Sequence, residues 1–420
     1  MDPDAPIEGG LEPRGEGYEP VATGAPPLPD EPRDALAIVV HLTDLHLDPR
    51  ARDGQPRSLD DEPDQVPPSV QDRGGVESLL DGGVAELLRW WGRRRGSFAN
   101  ATAWSQLPST VDGQLSILEE ASPGAAVLLA QTGDVEAAGR APDGTFYGYQ
   151  ELDRFMLEPL AGRATVVEVY GNHDIWPPRI PDPGFRTAHA DGAKLLAASR
   201  PSLAGPWTAT TVSPPAAPAT TVHVHRIDTI EPRTPSGAVF ARGRVHRERD
   251  AAGAKVADHP VDRIVDAIGA APGDVHLILS HHPLLPVDLS IGTVVQAHVR
   301  KATEVRWELS DRALFLSGHL HRVLPAPHTS DPETPTQLVA DSPTVAGSLD
   351  ERTGRHRQTP SLAIVAIRAR TPEGGEDLSL PERFEIRRRT VAYTRADGYR
   401  PSLWERDVVP RNVAEGASPS

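Results

Sequence analysis

The sequence predicts an α/β fold in which two sheets pack together with helices outside. Three observations carry that expectation. Strand-like and helix-like segments alternate through the first half of the 420-residue chain, and strand patterns dominate the second half. Five short apolar runs each stop at a cluster of Asp, Asn or His. Ligands in open α/β sheets gather beyond the carboxyl ends of the strands, where these residues recur.

The elements follow in order. Residues 1–35 are rich in Pro, Gly, Glu and Asp, lack periodicity, and read as a disordered leader. Residues 36–405 read as one domain, and residues 406–420 as a disordered tail. The run from Ala35 to His41 is β-rich and apolar, a buried strand that ends at Asp44. Pro49–Gly75 is a polar insertion, long for a connection inside a compact domain. Val76–Trp91 and Val111–Ala121 have helical spacing. Ala125–Ala130 is the second strand and delivers Gly133-Asp134; Tyr149–Leu160 is helical. Ala164–Tyr170 is the third strand and delivers Gly171-Asn172-His173-Asp174. Thr187–Ala219, rich in Pro and Ala, reads as a connecting loop. Thr221–Thr229 and Ala238–Arg247 alternate as half-buried antiparallel strands do. Val261–Ala270 is a short helix. Val275–Leu279 ends at His281-His282-Pro283, and Ala313–Leu316 ends at Gly318-His319-Leu320-His321. Leu338–Val345, Leu362–Ile367 and Phe384–Tyr393 read as strands that close the second sheet.

Composition bounds the partners. There are 43 basic and 59 acidic residues, a net charge of −16, which disfavours nonspecific binding to a phosphate backbone. Only Lys194, Lys255 and Lys301 are lysines, so the positive charge is almost all arginine, a forked donor suited to phosphate. Cysteine is absent, which excludes disulfides and thiolate metal sites. No apolar run approaches membrane-spanning length and no secretory pattern is visible, so the expected location is cytoplasmic.

The motifs carry the chemistry. Asp-x-His at 44 and 46 lets two side chains leave one strand edge toward one ion. His319 and His321 are two apart and point the same way on an extended segment. A glycine before Asp134, Asn172 and His319 removes a Cβ and lets the backbone turn tightly. Two divalent cations about 3.5–4 Å apart can clamp an in-line phosphoryl displacement. Hard oxygens and neutral imidazoles suit manganese, iron or zinc. Taken singly, Gly-Asp is usually a turn, and His281-His282 is usually a strand-end pair. The joint, ordered occurrence at strand ends is what is specific.

Other residues take plain structural readings. His41 is a core residue. His223 and His225 share a strand face with nothing else assembling around them, and His276 is structural. His189, His246, His259, His298, His328 and His356 read as exposed. Arg93–Arg95 and Arg387–Arg389 read as solvated faces, and Trp90-Trp91 as a helix-packing pair.

From Asp44 to His321 the ordered motifs resemble those of the calcineurin-like metallophosphoesterase family. The resemblance implies a four-layer α/β/β/α sandwich of two mixed sheets flanked by helices. It implies that Asp44, His46, Asp134 and His321 bind one metal, and that Asp134, Asn172, His281 and His319 bind the other, with Asp134 bridging. It further implies that a hydroxide shared by the metals attacks phosphorus. His173 would lie near the leaving-group oxygen, and Asp174 would orient His173 by accepting its other N–H. The family pattern His-x-Pro selects His281 as the ligand over His282. The implied activity is hydrolysis of a phosphodiester or phosphomonoester, and the implied partner a small phosphorylated substrate. A nuclease of the same superfamily and a non-catalytic scaffold for a protein partner are the alternatives. The insertion 49–75 follows a ligand-bearing strand, so it is expected to start at the site rim.

Overall fold

The computed structural model describes residues 31–47, 101–136, 145–175, 185–203, 210–230, 260–284, 312–319, 336–344, 349–350, 355–356, 360–370, 383–394 and 396–406. The insertion 49–75, the helix expected at Val76–Trp91, the strand expected at Ala238–Arg247, Arg93–Arg95 and His321 lie outside them.

The first sheet is built around β1 (Ala37–Leu42), which pairs in parallel with β2 (Ala126–Thr132); β2 pairs in parallel with β3 (Thr165–Val169). The second sheet has the order β4 (Thr210–Val212), β5 (Val222–Ile227), β6 (Val275–Ser280), β7 (Ala313–Ser317) and β8 (Thr336–Val339). Only the β4–β5 pair in it is antiparallel. A short hairpin, β9 (Leu349–Asp350) with β10 (Arg355–His356), stands apart. β11 (Ser361–Ala369), β12 (Phe384–Thr394), β13 (Gly398–Pro401) and β14 (Glu405–Arg406) follow.

Strand alternation divides the core into layers. Ile38, Val40 and Leu42 of β1 face a cluster shared with helices, whereas Ala37 and Val39 face the second sheet. The inter-sheet layer is completed by Val222, Val224, Leu277, Leu279, Leu314 and Leu316. Outside the first sheet lie α1 (Ala101–Ala121), α2 (Tyr147–Leu152, continued by a π turn over Asp153–Leu157) and α3 (Phe185–Ser199). α1 presents Leu107, Val111, Leu115 and Leu118, one face at helical spacing, to that layer. Outside the second sheet, α4 (Pro260–Ala270) lays Val261, Ile264 and Ile268 on Ile227, Ile278 and Phe315. The layers are helix, sheet, sheet, helix, as expected. Each of the larger side chains in them is worth about 1.5–3 kcal/mol when fully buried.

Several expectations are corrected. Thr187–Ala219 is not a plain loop: α3 runs through it and packs Leu196 against the first-sheet core, with Leu203 beyond its end. Pro at 201 and beyond masked a preceding Ala/Leu stretch with ordinary helix propensity. β5 is antiparallel on one edge only, to β4; on its other edge it runs parallel to β6, and it is buried at nearly every position rather than half-buried. The C-terminal strands do not complete the second sheet. β11 pairs antiparallel with β1, from Ala37↔Ile367 to His41↔Ala363, and β12 and β13 extend the first sheet outward. β1 carries a second edge that α/β alternation left unpaired, and β11 covers it. Of the three closing strands, only β8 joins the second sheet.

Arg387–Arg389 are not solvated. Arg389 is 1% exposed, pairs with Glu31 at 2.6 Å and lies 4.6 Å over the Trp404 ring. Trp404 Nε1 donates to Glu31 at 3.0 Å. The packed body therefore reaches back to Glu31, inside the stretch the sequence assigns to the leader. His223, His225 and His276 also form more than the sequence suggested. Their rings stack on the outer face of the second sheet, with 4.8 Å between His223 and His276 and 5.4 Å between His225 and His276.

Candidate metal centre

The site lies where β1, β2, β3, β6 and β7 end. Four of its residues hold left-handed backbone conformations: Asp44 (φ 51), His46 (φ 47), Asp134 (φ 55) and His319 (φ 68). Asp tolerates that region better than most residues; His is less common there, and a bulky side chain pays roughly 1–2 kcal/mol. The surrounding backbone supplies the bonds that hold it. The N–H groups of Asp44 and His46 donate to the carbonyls of Gly133 (2.9 Å) and Asp134 (3.0 Å). Ser342 Oγ donates to the Asp44 carbonyl and Thr344 Oγ1 to that of Leu45, both at 2.6 Å. Nothing in the sequence singled out Ser342 or Thr344, because neither is near Asp44 in the chain.

The glycines before the ligands are there for space. A Cβ on Gly171 would sit 2.0 Å from Asp134 Oδ1, and one on Gly318 would sit 1.8 Å from Thr43 Oγ1 and 2.5 Å from Asp44 Oδ2. A Cβ on Gly133 would meet His281 Nδ1 at 2.5 Å, and Gly133 itself has φ +99.

One group of donors converges on His281. Its Nδ1 lies 2.8 Å from the Thr132 carbonyl, which can only accept, so Nδ1 carries the proton and Nε2 presents its other side inward. Nε2 lies 3.0 Å from Asn172 Oδ1, 3.0 Å from His319 Nδ1 and 3.4 Å from Asp134 Oδ2. His281 is fully buried. Burial, the largest single influence, pushes its pKa down, but the Asp134 carboxylate, the Asp44 charge and the Thr132 carbonyl together raise it to about 9. Burial likewise works against the charge on Asp134, and His281 and His173 together hold its carboxyl well below the usual range. A cluster that draws a proton this strongly is electrostatically fit for a cation in the proton's place.

A second group also includes Asp134. His46 Nε2 lies 4.0 Å from both Asp44 Oδ1 and Asp134 Oδ2. The ligand atoms of Asp44, Asp134 and His281, and separately those of His46, Asp134 and His173, lie within 4.8 Å of one another. Asp134 belongs to both sets, as a bridging ligand must. The donor set, imidazole nitrogens with carboxylate and amide oxygens and no sulfur, fits manganese, iron or zinc. Seven expected positions (Asp44, His46, Asp134, Asn172, His173, His281 and His319) therefore come together.

Three placements differ from the sequence reading or add to it. Asp174, fully buried, does not accept from the His173 ring. Its carboxylate accepts the N–H groups of Gly171 (2.7 Å), Asp134 (2.9 Å) and Glu136 (2.8 Å) and the Tyr149 hydroxyl (3.1 Å). The motif is too short for a residue directly following His173 in a 3-10 turn to reach back to the ring. Burial and the Asp134 charge push Asp174 up to about 7, against the pull of the Gly171 and Glu136 N–H groups. His173 stands half-buried at the rim, its ring edge-on to His46 at 4.5 Å and its backbone N–H donating to Asp134 Oδ1 at 2.8 Å. His282, passed over as a ligand in favour of His281, stands beside the centre: a ligand atom of it lies within 4.8 Å of those of His281 and His319. Its Nδ1 pairs with Thr229 Oγ1 at 2.9 Å.

No protein-family model matches this chain, and no curated protein does. Among solved structures it is similar to a Staphylococcus aureus protein assigned as a 5'-nucleotidase, in complex with alpha-ketoglutarate. That likeness has a TM-score of 0.34 at 10% identity and covers 88% of this chain and 53% of the other. It is also similar to Vps29 of Chaetomium thermophilum, with a TM-score of 0.29 at 10% identity, covering 89% of this chain and 96% of the other. The chain thus spans about half the length of the first. Neither likeness is strong enough to argue from, so the fold rests on the sheets and layers described above.

Proposed function

We propose that the protein hydrolyses a small phosphorylated substrate, a phosphodiester or phosphomonoester, with two divalent metal ions held around Asp134. The observation that supports this best is the convergence of Asn172 Oδ1 and His319 Nδ1 on His281 Nε2, each at 3.0 Å, with Asp134 Oδ2 at 3.4 Å. Buried acceptor atoms crowded together at these distances are costly unless a proton or a cation lies among them. The motif order that resembles the calcineurin-like metallophosphoesterases points the same way.

In this reading Asp134, Asn172, His281 and His319 hold one ion, and Asp44, His46, Asp134 and His321 the other. Bound there, the ions supply Lewis-acid polarisation of the phosphoryl group and lower the pKa of water to give a nucleophile near neutral pH. The chain does the rest. Thr132 fixes the His281 tautomer through its carbonyl. Asp44, held by Thr43 Oγ1 at 2.6 Å and by the His319 N–H at 2.8 Å, presents its remaining oxygen lone pairs inward. His173, at the half-open rim, is placed to meet the substrate and to stabilise or protonate the leaving oxygen.

The test is a metal analysis of the purified protein and an assay on bis-p-nitrophenyl phosphate with manganese. Asp134→Ala is expected to lose metal and activity together. His173→Ala is expected to keep the metal and lose roughly 100-fold or more in rate, as removal of a general acid does. Full activity in chelator-treated, metal-free protein would falsify the proposal.

A further inference from the structure

We infer that Asp174 and Tyr149 form a positioning clamp that sets the bridging carboxylate of Asp134, and that Asp174 is not the partner of the His173 ring. The inference rests on the metal-centred reading above and assigns two residues within it.

The geometry is reciprocal. Asp174 accepts the Asp134 N–H at 2.9 Å, and Asp134 Oδ1 accepts the His173 N–H at 2.8 Å, so the turns after β2 and β3 each hold the other. Asp174 Oδ2 also takes the Gly171 N–H and the Tyr149 hydroxyl, and Oδ1 takes the Glu136 N–H. Two oxygens thus meet four donors from three stretches of chain. The clamp acts on a backbone that needs it, because Asp134 sits at φ 55. Gly171 lies so close that a Cβ there would be 2.0 Å from Asp134 Oδ1, which leaves that side chain little room to take another orientation.

Tyr149 fixes the clamp from behind. It is 3% exposed and lies in the first-sheet core. The Arg200 guanidinium lies 4.7 Å over its ring and is itself gripped by Asp153 and Glu168, both at 2.7 Å. The Tyr149 N–H donates to Glu136 Oε1 at 3.0 Å, which ties the first turn of α2 to the same segment that Asp174 holds. The hydroxyl is thus delivered to Asp174 from a rigid frame, and its loss would loosen the clamp without emptying the core.

Manganese titrations of the full chain by calorimetry test this, beside rates on bis-p-nitrophenyl phosphate at saturating manganese and circular dichroism. Tyr149→Phe keeps the ring, and is expected to stay folded and to bind manganese about 10-fold more weakly, the range seen when supports of metal ligands are removed. Its rate should recover at saturating manganese. Asp174→Asn, which turns donors toward donors, is expected to lose about 100-fold. Unchanged manganese affinity in a folded Tyr149→Phe protein overturns the clamp, and that variant decides the matter alone if Asp174→Asn fails to fold. The clamp is also overturned if Asp174→Asn leaves affinity intact and lowers the saturated rate as His173→Ala does. In both cases the metal reading stands so long as Asp134→Ala abolishes binding. A wild-type protein that binds no manganese overturns the metal reading and the clamp with it.

Discussion

Asp44, His46, Asp134 and His319 are four of the five non-glycine residues at positive φ among the described residues. Strain of this kind persists where the surroundings over-determine it, and it gathers at sites that must aim side chains. The bonds from Gly133, Ser342, Thr344 and Asp174 are what over-determine it here. Gly133 separates crowding from backbone preference. It has φ +99 and no room for a Cβ, whereas Gly162 has φ +80 and open space around it. Gly162→Ala should cost about 1–2 kcal/mol, the positive-φ penalty alone. Gly133→Ala should cost about 1–3 kcal/mol beyond that from overpacking. Denaturant midpoints measure both, and equal losses would show that crowding contributes nothing. The candidate site residues were legible at this scale because Asp-x-His and Gly-Asn-His-Asp are local patterns. Tyr149, Thr229, Ser342 and Thr344 were not, since each reaches the site from a distant stretch of chain and belongs to no motif.

Elements that looked peripheral turn out to close the first sheet. β12 brings Arg389 against Glu31, Gln114 of α1 and Trp404. The Arg389 and Glu31 side chains are 1% and 5% exposed, so removing one leaves the other charged and buried. Arg389→Ala should cost about 3–5 kcal/mol, while Arg389→Met combined with Glu31→Gln should cost much less. A double-mutant cycle on urea unfolding measures this; additive losses would mean that the two charges do not depend on each other. A run of three arginines reads as solvent-facing in sequence because charge is normally exposed. Arg387 finds Glu385 two residues away on its own strand, but Glu405 comes alongside Arg388 only through the β12–β14 pairing, and Glu31 reaches Arg389 only through the packing of the folded chain. The helix α3 and the placement of β11 were missed for related reasons. Proline-rich flanks hid a plain helix, and no local signal says which edge a strand will cover.

Across the whole molecule, the stacked histidines on the second sheet make stability depend on pH away from the candidate metal centre. Burial pushes His225 down to about 3 and lowers His276 as well. His225 Nε2 lies 3.1 Å from His276 Nδ1, and His276 Nε2 lies 2.9 Å from the Ala271 carbonyl, so both rings are satisfied when neutral. Their folded pKa values lie below the unfolded value, so the unfolded chain binds more protons as pH falls from about 6.5 toward 3. Stability is therefore full above about pH 6.5 and declines below it, by up to about 1.4 kcal/mol per pH unit for each ring. His225→Gln should flatten that slope between pH 6.5 and 5 in urea unfolding. An unchanged slope would show that His225 takes its proton in the folded state as readily as in the unfolded chain.

The sequence alone determined the layered α/β class, the strands that end at the candidate ligands, the residue types of those candidates and the glycines beside them. Those are short-range properties: a period of two or 3.6, a run length, a residue type at a strand end. Only the tertiary structure decided that the C-terminal strands cover β1, that Arg387–Arg389 are buried, and that Asp174 clamps the backbone around Asp134. Each depends on groups tens to hundreds of residues apart, and strand pairing and burial are energies of contact that no local pattern encodes.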